Sequence, residues 1–97
     1  MAAKASEGGI SRNRAEWIAA EALSFLALDQ DRLARFLALT GIDVDAIREH
    51  VGEPVFLAGV LDYLLADESL LLEWVENSGL APEEPSLARA ALAECIC

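Results

Sequence analysis

The sequence predicts an all-α fold, a compact six-helix bundle built from two pseudo-repeated three-helix halves. Apolar residues recur at helical spacing, no window alternates with a period of two, and β-branched residues are scarce. Aspartates and glycines divide the apolar runs into segments. The chain also nearly repeats itself at an offset of 38 residues. These observations favour helices throughout and argue against a sheet.

The repeat aligns residues 17–42 with residues 55–80 without a gap. Identical residues occupy six aligned pairs of positions: Ala20/Ala58, Leu23/Leu61, Leu26/Leu64, Asp29/Asp67, Leu33/Leu71 and Gly41/Gly79. Two copies are too few for a solenoid, which needs about three repeats. We therefore expect halves of about 15–52 and 53–94 to pack on each other, with the first and fourth helices at the centre.

The helices of the first half are predicted from their caps. Ser11 caps a helix that extends to about residue 28, and Asp29 starts a second helix over about 30–39. Gly41 ends the second helix, because the residue after a helix often adopts a positive φ. Asp43 caps a short third helix over 44–51. The inward positions of the first two helices are apolar: Trp17, Ile18, Ala22, Phe25, Leu26, Leu33, Phe36 and Leu37.

The second half follows the same order. Pro54 suits the first turn of a nearly all-apolar helix that continues to about residue 66, and we expect this helix to be central. Asp67 caps a fifth helix over 68–78, and Gly79 ends it. A sixth helix ends near residue 94. The predicted organisation is a disordered tail over 1–10, a single helical domain over 11–94 and a short tail over 95–97.

Composition and charge limit the classes of partner. The chain has 97 residues, 55% of them apolar, and a net charge of −10. Nucleic acid and anionic membranes bind through Lys and Arg, so both are poor matches for this chain. An unknown protein partner or self-association remains, and the 16 leucines either fill a core or leave an apolar patch. No signal peptide or membrane span is evident, so we expect a cytoplasmic protein.

Residues suited to catalysis or metal binding are few. His50 is the one histidine, in the last turn of the predicted third helix, where a cation interacts favourably with the helix dipole. Cys95 and Cys97 form a C-x-C pair, for which we expect free, reduced thiols. Metal binding or a link to another chain is the alternative for this pair. We expect no cofactor and no metal.

Paired carboxylates recur at predicted helix starts: Asp29/Asp31, Asp43/Asp45 and Asp67/Glu68. Such pairs can bind Mg²⁺ or transfer protons, but helix capping already explains their positions. Asp62 differs, because it lies in an otherwise apolar helix where an isolated buried carboxylate is unfavourable. We expect it to face outward or to pair with an arginine such as Arg32 or Arg35. A functional carboxylate is the alternative.

The large aromatic side chains are candidates for the core and, where exposed, for a binding surface. Trp74 aligns with Phe36 in the repeat, which suits a shared packing position. The candidate residues of an interaction surface are Trp17, Phe56, Tyr63 and Trp74.

Most of residues 15–93 lies in or beside three distinctive segments: ALSFLALDQDRLARFLALTGI, EPVFLAGVLDYLLADESLL and WVENSGLAPE. They resemble a family of small all-helical proteins of unknown function found in alphaproteobacteria. The resemblance implies a bacterial cytoplasmic helical domain. It implies no activity and no site residues.

The sequence favours a non-catalytic, acidic interaction module, regulatory in role, that uses an apolar groove between the halves or a homodimer face. An acidic cover or antagonist for a basic protein is the alternative, and its binding would weaken steeply with salt. A third class is an enzyme in which Asp62, with Asp67 or Glu68, holds a metal. Calorimetry with divalent cations tests that class.

Overall fold

Six α-helices make up the computed structural model, which describes residues 10–96. In chain order they are α1 (Arg12–Ala27), α2 (Gln30–Thr40), α3 (Val44–His50), α4 (Pro54–Leu65), α5 (Glu68–Ser78) and α6 (Glu84–Ile96). The described part of the chain contains no β-strand. The all-α class predicted from the sequence is therefore confirmed.

Three helices, α1, α4 and α6, pack against one another at the centre of the molecule. Small alanines let the helices approach closely, and leucines fill the space between them. The fully buried side chains of these helices include Ala15, Ala19, Ala22, Leu26, Leu61, Leu64, Ala88 and Leu92. The sequence placed the first and fourth helices at the centre. The structure adds α6, because Pro85, Ala88 and Leu92 form a buried stripe along it.

The helices α2 and α5 lie outside this centre. α2 packs on α1, whereas α5 packs on α4 and α1. Each buries one large aromatic side chain, Phe36 in α2 and Trp74 in α5. Phe36 meets Tyr63 of α4 edge to face, with ring centroids 5.0 Å apart. The short α3 has no buried residue.

Local interactions define the ends of these helices. Side-chain oxygens accept backbone N–H groups of the following turn at four positions: Ser11, Asp29, Asp43 and Asp67. Gly41 and Gly79 follow α2 and α5, and both have a φ of 76°. An added Cβ at either glycine would meet no atom within 4 Å. Backbone strain, rather than lack of space, therefore favours glycine at both positions.

Two predicted tails differ from the structure. α6 continues to Ile96, beyond the predicted end near residue 94, because no proline or glycine interrupts it. The predicted tail over 95–97 is therefore helical as far as Ile96, and Cys97 lies outside the described residues. At the other end, Ile10 is partly buried and packs against the core. Residues 1–9 of the predicted disordered tail lie outside the described residues.

Candidate binding sites on α1

Two depressions share Ser24 of α1 in their walls. The larger, here called the cleft, lies among α1, α2 and α3 and has a volume of about 310 Å³. The smaller, here called the cavity, lies between α1 and α5 and has a volume of about 130 Å³. Because both adjoin the same helix, the C-terminal half of α1 separates two sites of different chemistry.

Aliphatic side chains from three helices line the cleft. They are Leu23 and Ala27 of α1, Leu33 of α2, and Val44 and Ile47 of α3. Arg48 adds a positive charge at this site. The wall that α3 contributes is only seven residues long and has no buried residue, and Val44 is 48% exposed. Ile47 packs against the core, but no residue of α3 is buried, so this wall is the least firmly packed part of the cleft.

Aromatic and polar side chains meet in the cavity. Its apolar lining consists of Phe25 of α1, Leu28 just after α1, and Trp74 of α5. The polar members of its wall are Glu21, Ser24, Asn77 and Ser78. Leu28 is 84% exposed, so the cavity opens beside a free leucine. Trp74 is 1% exposed, and no described residue accepts a hydrogen bond from its indole Nε1–H.

The structure separates the four candidate surface aromatics. Trp74 is buried where α5 packs on α1 and α4, so its assignment to an interaction surface is wrong. Trp17 was assigned an inward position, but it is 46% exposed, because its neighbour Ile18 occupies the core-facing position of that turn. The Arg14 guanidinium lies 4.7 Å from the centroid of the Trp17 ring. Phe56 and Tyr63 are half-buried.

Two ion pairs connect α6 to the helices beside it. Asp62 of α4 is exposed, as one alternative predicted, and it also meets an arginine. The arginine is Arg89 rather than Arg32 or Arg35, because α6 packs against α4. The Arg89 Nε donates to the Asp62 carboxylate over 2.6 Å, and this hydrogen bond raises the pKa of Arg89. Arg14 of α1 donates to Glu84 over 3.0 Å. The pKa of Glu84 is lowered by hydrogen bonds from the Ala81 N–H and from Arg14.

Arg32 pairs instead with Glu73 of α5. Its guanidinium also lies 4.4 Å from the centroid of the Phe25 ring of α1. This arginine therefore joins α2, α5 and α1 near the end of α1 where the cavity opens.

The remaining candidate residues have local structural roles. His50 ends α3, and its Nδ1 lies 3.0 Å from the Glu53 carboxylate. The hydrogen bond to Glu53 raises the pKa of His50. Asp67 accepts the Leu70 N–H over 3.2 Å. Within residues 10–96, no three His, Cys, Asp or Glu side chains form a group that could hold a metal ion. The side chains of Cys95 and Cys97 lie outside the described part of the chain.

Residues 12–94 match the model of a protein family described as a protein of unknown function, DUF3572. The chain belongs to this family. The DUF3572 match covers both depressions and all six helices almost completely, and it supports the resemblance found in the sequence. No match to the chain was found among curated proteins or among solved structures. None of the helices in the described region is both long enough and apolar enough to cross a bilayer.

The sequence predicted an apolar groove between the two halves of this DUF3572 chain, whereas all residues that line the cleft belong to the first half. Sequence reasoning identified neither the cleft nor the cavity by its residues. The cleft was indicated by the short predicted third helix, because a helix of that length cannot cover the apolar positions of the first two helices. No local pattern marked the cavity, because it depends on how α5 packs against α1.

Proposed function

We propose that the protein is a non-catalytic interaction module, regulatory in role and cytoplasmic, that binds an apolar segment of a partner protein in the cleft. The observation that carries the proposal is the aliphatic lining of this open site, contributed by α1, α2 and α3. Large apolar side chains that enter such pockets supply most of the affinity in protein interfaces. An amphipathic helix is the partner element that best matches an open groove between helices.

Arg48 provides a charged contact that would orient a segment bound in the cleft. It is exposed and lines a site that is otherwise aliphatic apart from Ser24. An acidic residue beside the entering apolar side chain would pair with it and fix the register of the partner. The rest of the surface is strongly acidic, so a bound segment would combine one acidic group near Arg48 with basic groups elsewhere.

Charge placed in the cleft tests the proposal. Ala27 and Ala20 are both exposed residues of α1, but only Ala27 lines the cleft. We expect Ala27→Glu to abolish partner capture from the native cell, because a carboxylate would have to be buried against the apolar group that enters. Ala20→Glu adds the same charge elsewhere on the helix and should retain the partner. Analytical ultracentrifugation of both variants shows whether the partner is a second copy.

Equal capture by wild type, Ala27→Glu and Ala20→Glu would contradict the assignment of the cleft. A strictly monomeric chain that captures no protein would contradict the interaction module altogether. Circular dichroism of both variants establishes that each remains helical.

An acidic cover or antagonist for a basic protein is the second candidate. Residues 51–97 contain one base and nine acids, and that base, Arg89, is paired with Asp62. Binding by this surface should weaken steeply as salt is added. Ala27→Glu separates the two candidates, because it should strengthen binding to a basic surface while it blocks an apolar segment.

A carboxylate–metal enzyme built on Asp62 with Asp67 or Glu68 has less support. The Asp62 carboxylate is engaged by Arg89, and the Asp67 carboxylate accepts a backbone N–H of α5. Calorimetry with Mg²⁺, Mn²⁺ and Zn²⁺ tests this class, and binding of any of them that is lost in Asp62→Asn would revive it.

We also interpret the chain as two related halves of a bacterial protein from alphaproteobacteria. Support for two related halves comes from α2 and α5. Both are 11 residues long, begin at an aspartate cap and end at a glycine with a φ of 76°. Further sequences of the family would test the interpretation, since a true duplication should give an offset near 38 in each of them.

A further inference from the structure

A highly exposed leucine lies beside the cleft. Leu28 is 84% exposed, the highest value among the large apolar side chains that the structure describes. It directly follows Ala27, and its N–H donates to the Ser24 carbonyl over 3.1 Å; Ala27 and Ser24 both line the cleft. Each copy of the chain therefore presents an apolar side chain and an apolar depression side by side. That pairing suits a twofold interface, in which the same patch of both copies is used.

The cleft is large enough to receive a leucine side chain. A cavity of about 150 Å³ holds a benzene ring, and the cleft has a volume of about 310 Å³. Leu23, Leu33 and Ile47 offer aliphatic contacts to a side chain that enters. Entry of Leu28 from a second copy would remove apolar surface of both the leucine and the cleft from water.

The distribution of charge favours contact between copies through this part of the chain. Residues 1–50 contain six bases and eight acids, whereas residues 51–97 contain one base and nine acids. All residues that line the cleft belong to the first of these ranges. Two copies that meet here bring together regions of nearly balanced charge. At about 150 mM salt, repulsion between charges more than about 8 Å apart is largely screened.

Two exposed charged side chains at these features complement each other. Arg48 lines the cleft, and Asp31 follows Leu28 by three residues. Neither of them forms an ion pair with a described residue. When Leu28 of one copy enters the cleft of the other, Asp31 arrives on the same short segment as the acidic partner that Arg48 lacks. Twofold symmetry makes this contact twice.

We propose that the segment bound in the cleft is the turn between α1 and α2 of a second copy. Leu28 of each copy occupies the cleft of the other, and Asp31 of each copy pairs with Arg48 of the other. This inference rests on the proposed function of the cleft and identifies its partner. Because the interface uses the same patch twice, association stops at two copies.

Sedimentation equilibrium of the full chain at about 150 mM salt and up to about 1 mM protein tests the proposal. We expect a monomer–dimer equilibrium. Leu28→Asp should weaken it at least about tenfold, because a carboxylate would have to enter an aliphatic site. Leu72→Asp is the matched control: Leu72 is a 48% exposed leucine of α5 that does not line the cleft. This variant should leave the dissociation constant almost unchanged.

Reversal of charge tests the predicted ion pair. Arg48→Glu and Asp31→Arg each place like charges opposite one another, so each should weaken the dimer about tenfold. Asp31→Arg also makes the net charge of the chain less negative, so weakening by this variant cannot come from general repulsion. The double variant Asp31→Arg/Arg48→Glu restores opposite charges and should return the dissociation constant close to that of wild type. Circular dichroism establishes that each variant remains helical.

A chain that stays monomeric at about 1 mM would overturn the second copy as the partner. A dimer that Leu28→Asp does not weaken, or additive losses in the double variant, would overturn it as well. These failures differ from failure of the cleft itself. Capture of a different protein that is lost in Ala27→Glu and kept in Leu28→Asp would retain the cleft as the interaction site and exclude the second copy.

Discussion

The segment from Asp29 to His50 and the segment from Asp67 to Ile96 begin alike and end differently. In both, an aspartate cap starts a helix of 11 residues and a left-handed glycine ends it. After Gly41 the chain forms α3, which has seven residues and buries none of them. After Gly79 it forms α6, which has 13 residues and packs against α1 and α4.

This difference shows that local signals determine helix ends but not the packing of the next helix. Aspartate caps and left-handed glycines act within one turn of the chain. Burial of α6 depends on a stripe of Pro85, Ala88 and Leu92 that meets two other helices. The short α3 has no comparable stripe, and the cleft lies beside it. The proposed interaction site therefore lies in a region where the two segments differ.

The largest expected effect comes from comparing α6 with α3, the helices that end the two segments. Leu92→Ala in α6 should lower the free energy of unfolding by about 2–5 kcal/mol, because it removes a fully buried side chain at the centre. Ile47→Ala in α3 should cost less than about 1.5 kcal/mol, because Ile47 is only partly buried. Urea unfolding followed by circular dichroism measures both. Equal losses would show that α3 is held as firmly as α6.

The two glycines test more sharply whether the ends of α2 and α5 are energetically equivalent. Gly41→Ala and Gly79→Ala should each cost about 1–2 kcal/mol, since both glycines have a φ of 76° and neither Cβ would clash. Asparagine tolerates this conformation better and should cost less at both sites. Thermal unfolding of the four variants gives the comparison. A difference of more than a factor of two between the alanine variants would mean that surroundings matter at one site.

The aspartate caps should show a smaller effect. Asp29→Ala and Asp67→Ala should each lower the free energy of unfolding by about 1 kcal/mol. Asp29 should have the larger effect, because it accepts N–H groups of Asp31 and Arg32, whereas Asp67 accepts that of Leu70. Asparagine at either position is the control that keeps an acceptor. A larger loss at Asp67 than at Asp29 would contradict this order.

The smallest effect concerns pH and is confined to the first segment. The hydrogen bond to Glu53 raises the pKa of His50 above its ordinary value of about 6.5. Its contribution to stability is therefore complete below about pH 6.5 and is lost as the pH rises through the raised pKa. A proton NMR titration should show the pKa of His50 fall in Glu53→Gln and fall less in Glu49→Gln. An unchanged pKa in Glu53→Gln would remove Glu53 as the cause.

Local features of the fold could be predicted from the sequence, because they depend on near neighbours. The bounds of α5 agree with the prediction, and those of α2 and α3 differ by one residue. Contacts between residues far apart in the sequence were harder to predict. Arg89 replaced Arg32 and Arg35 as the partner of Asp62, because no local pattern states which helix lies beside α4. The exposure of Trp17 and the cavity at Trp74 depend in the same way on how helices pack.

The ion pair between Arg14 and Glu84 joins residues 70 positions apart, and it lies where α6 meets α1. A ribosome synthesises α1 before α6, so the surfaces that α1 shares with α6 stay open until α6 has emerged. Until then the nascent chain must keep its leucines and alanines soluble, and a net charge of −10 opposes aggregation during that interval. Acidity would then protect the protein before it folds as well as afterwards.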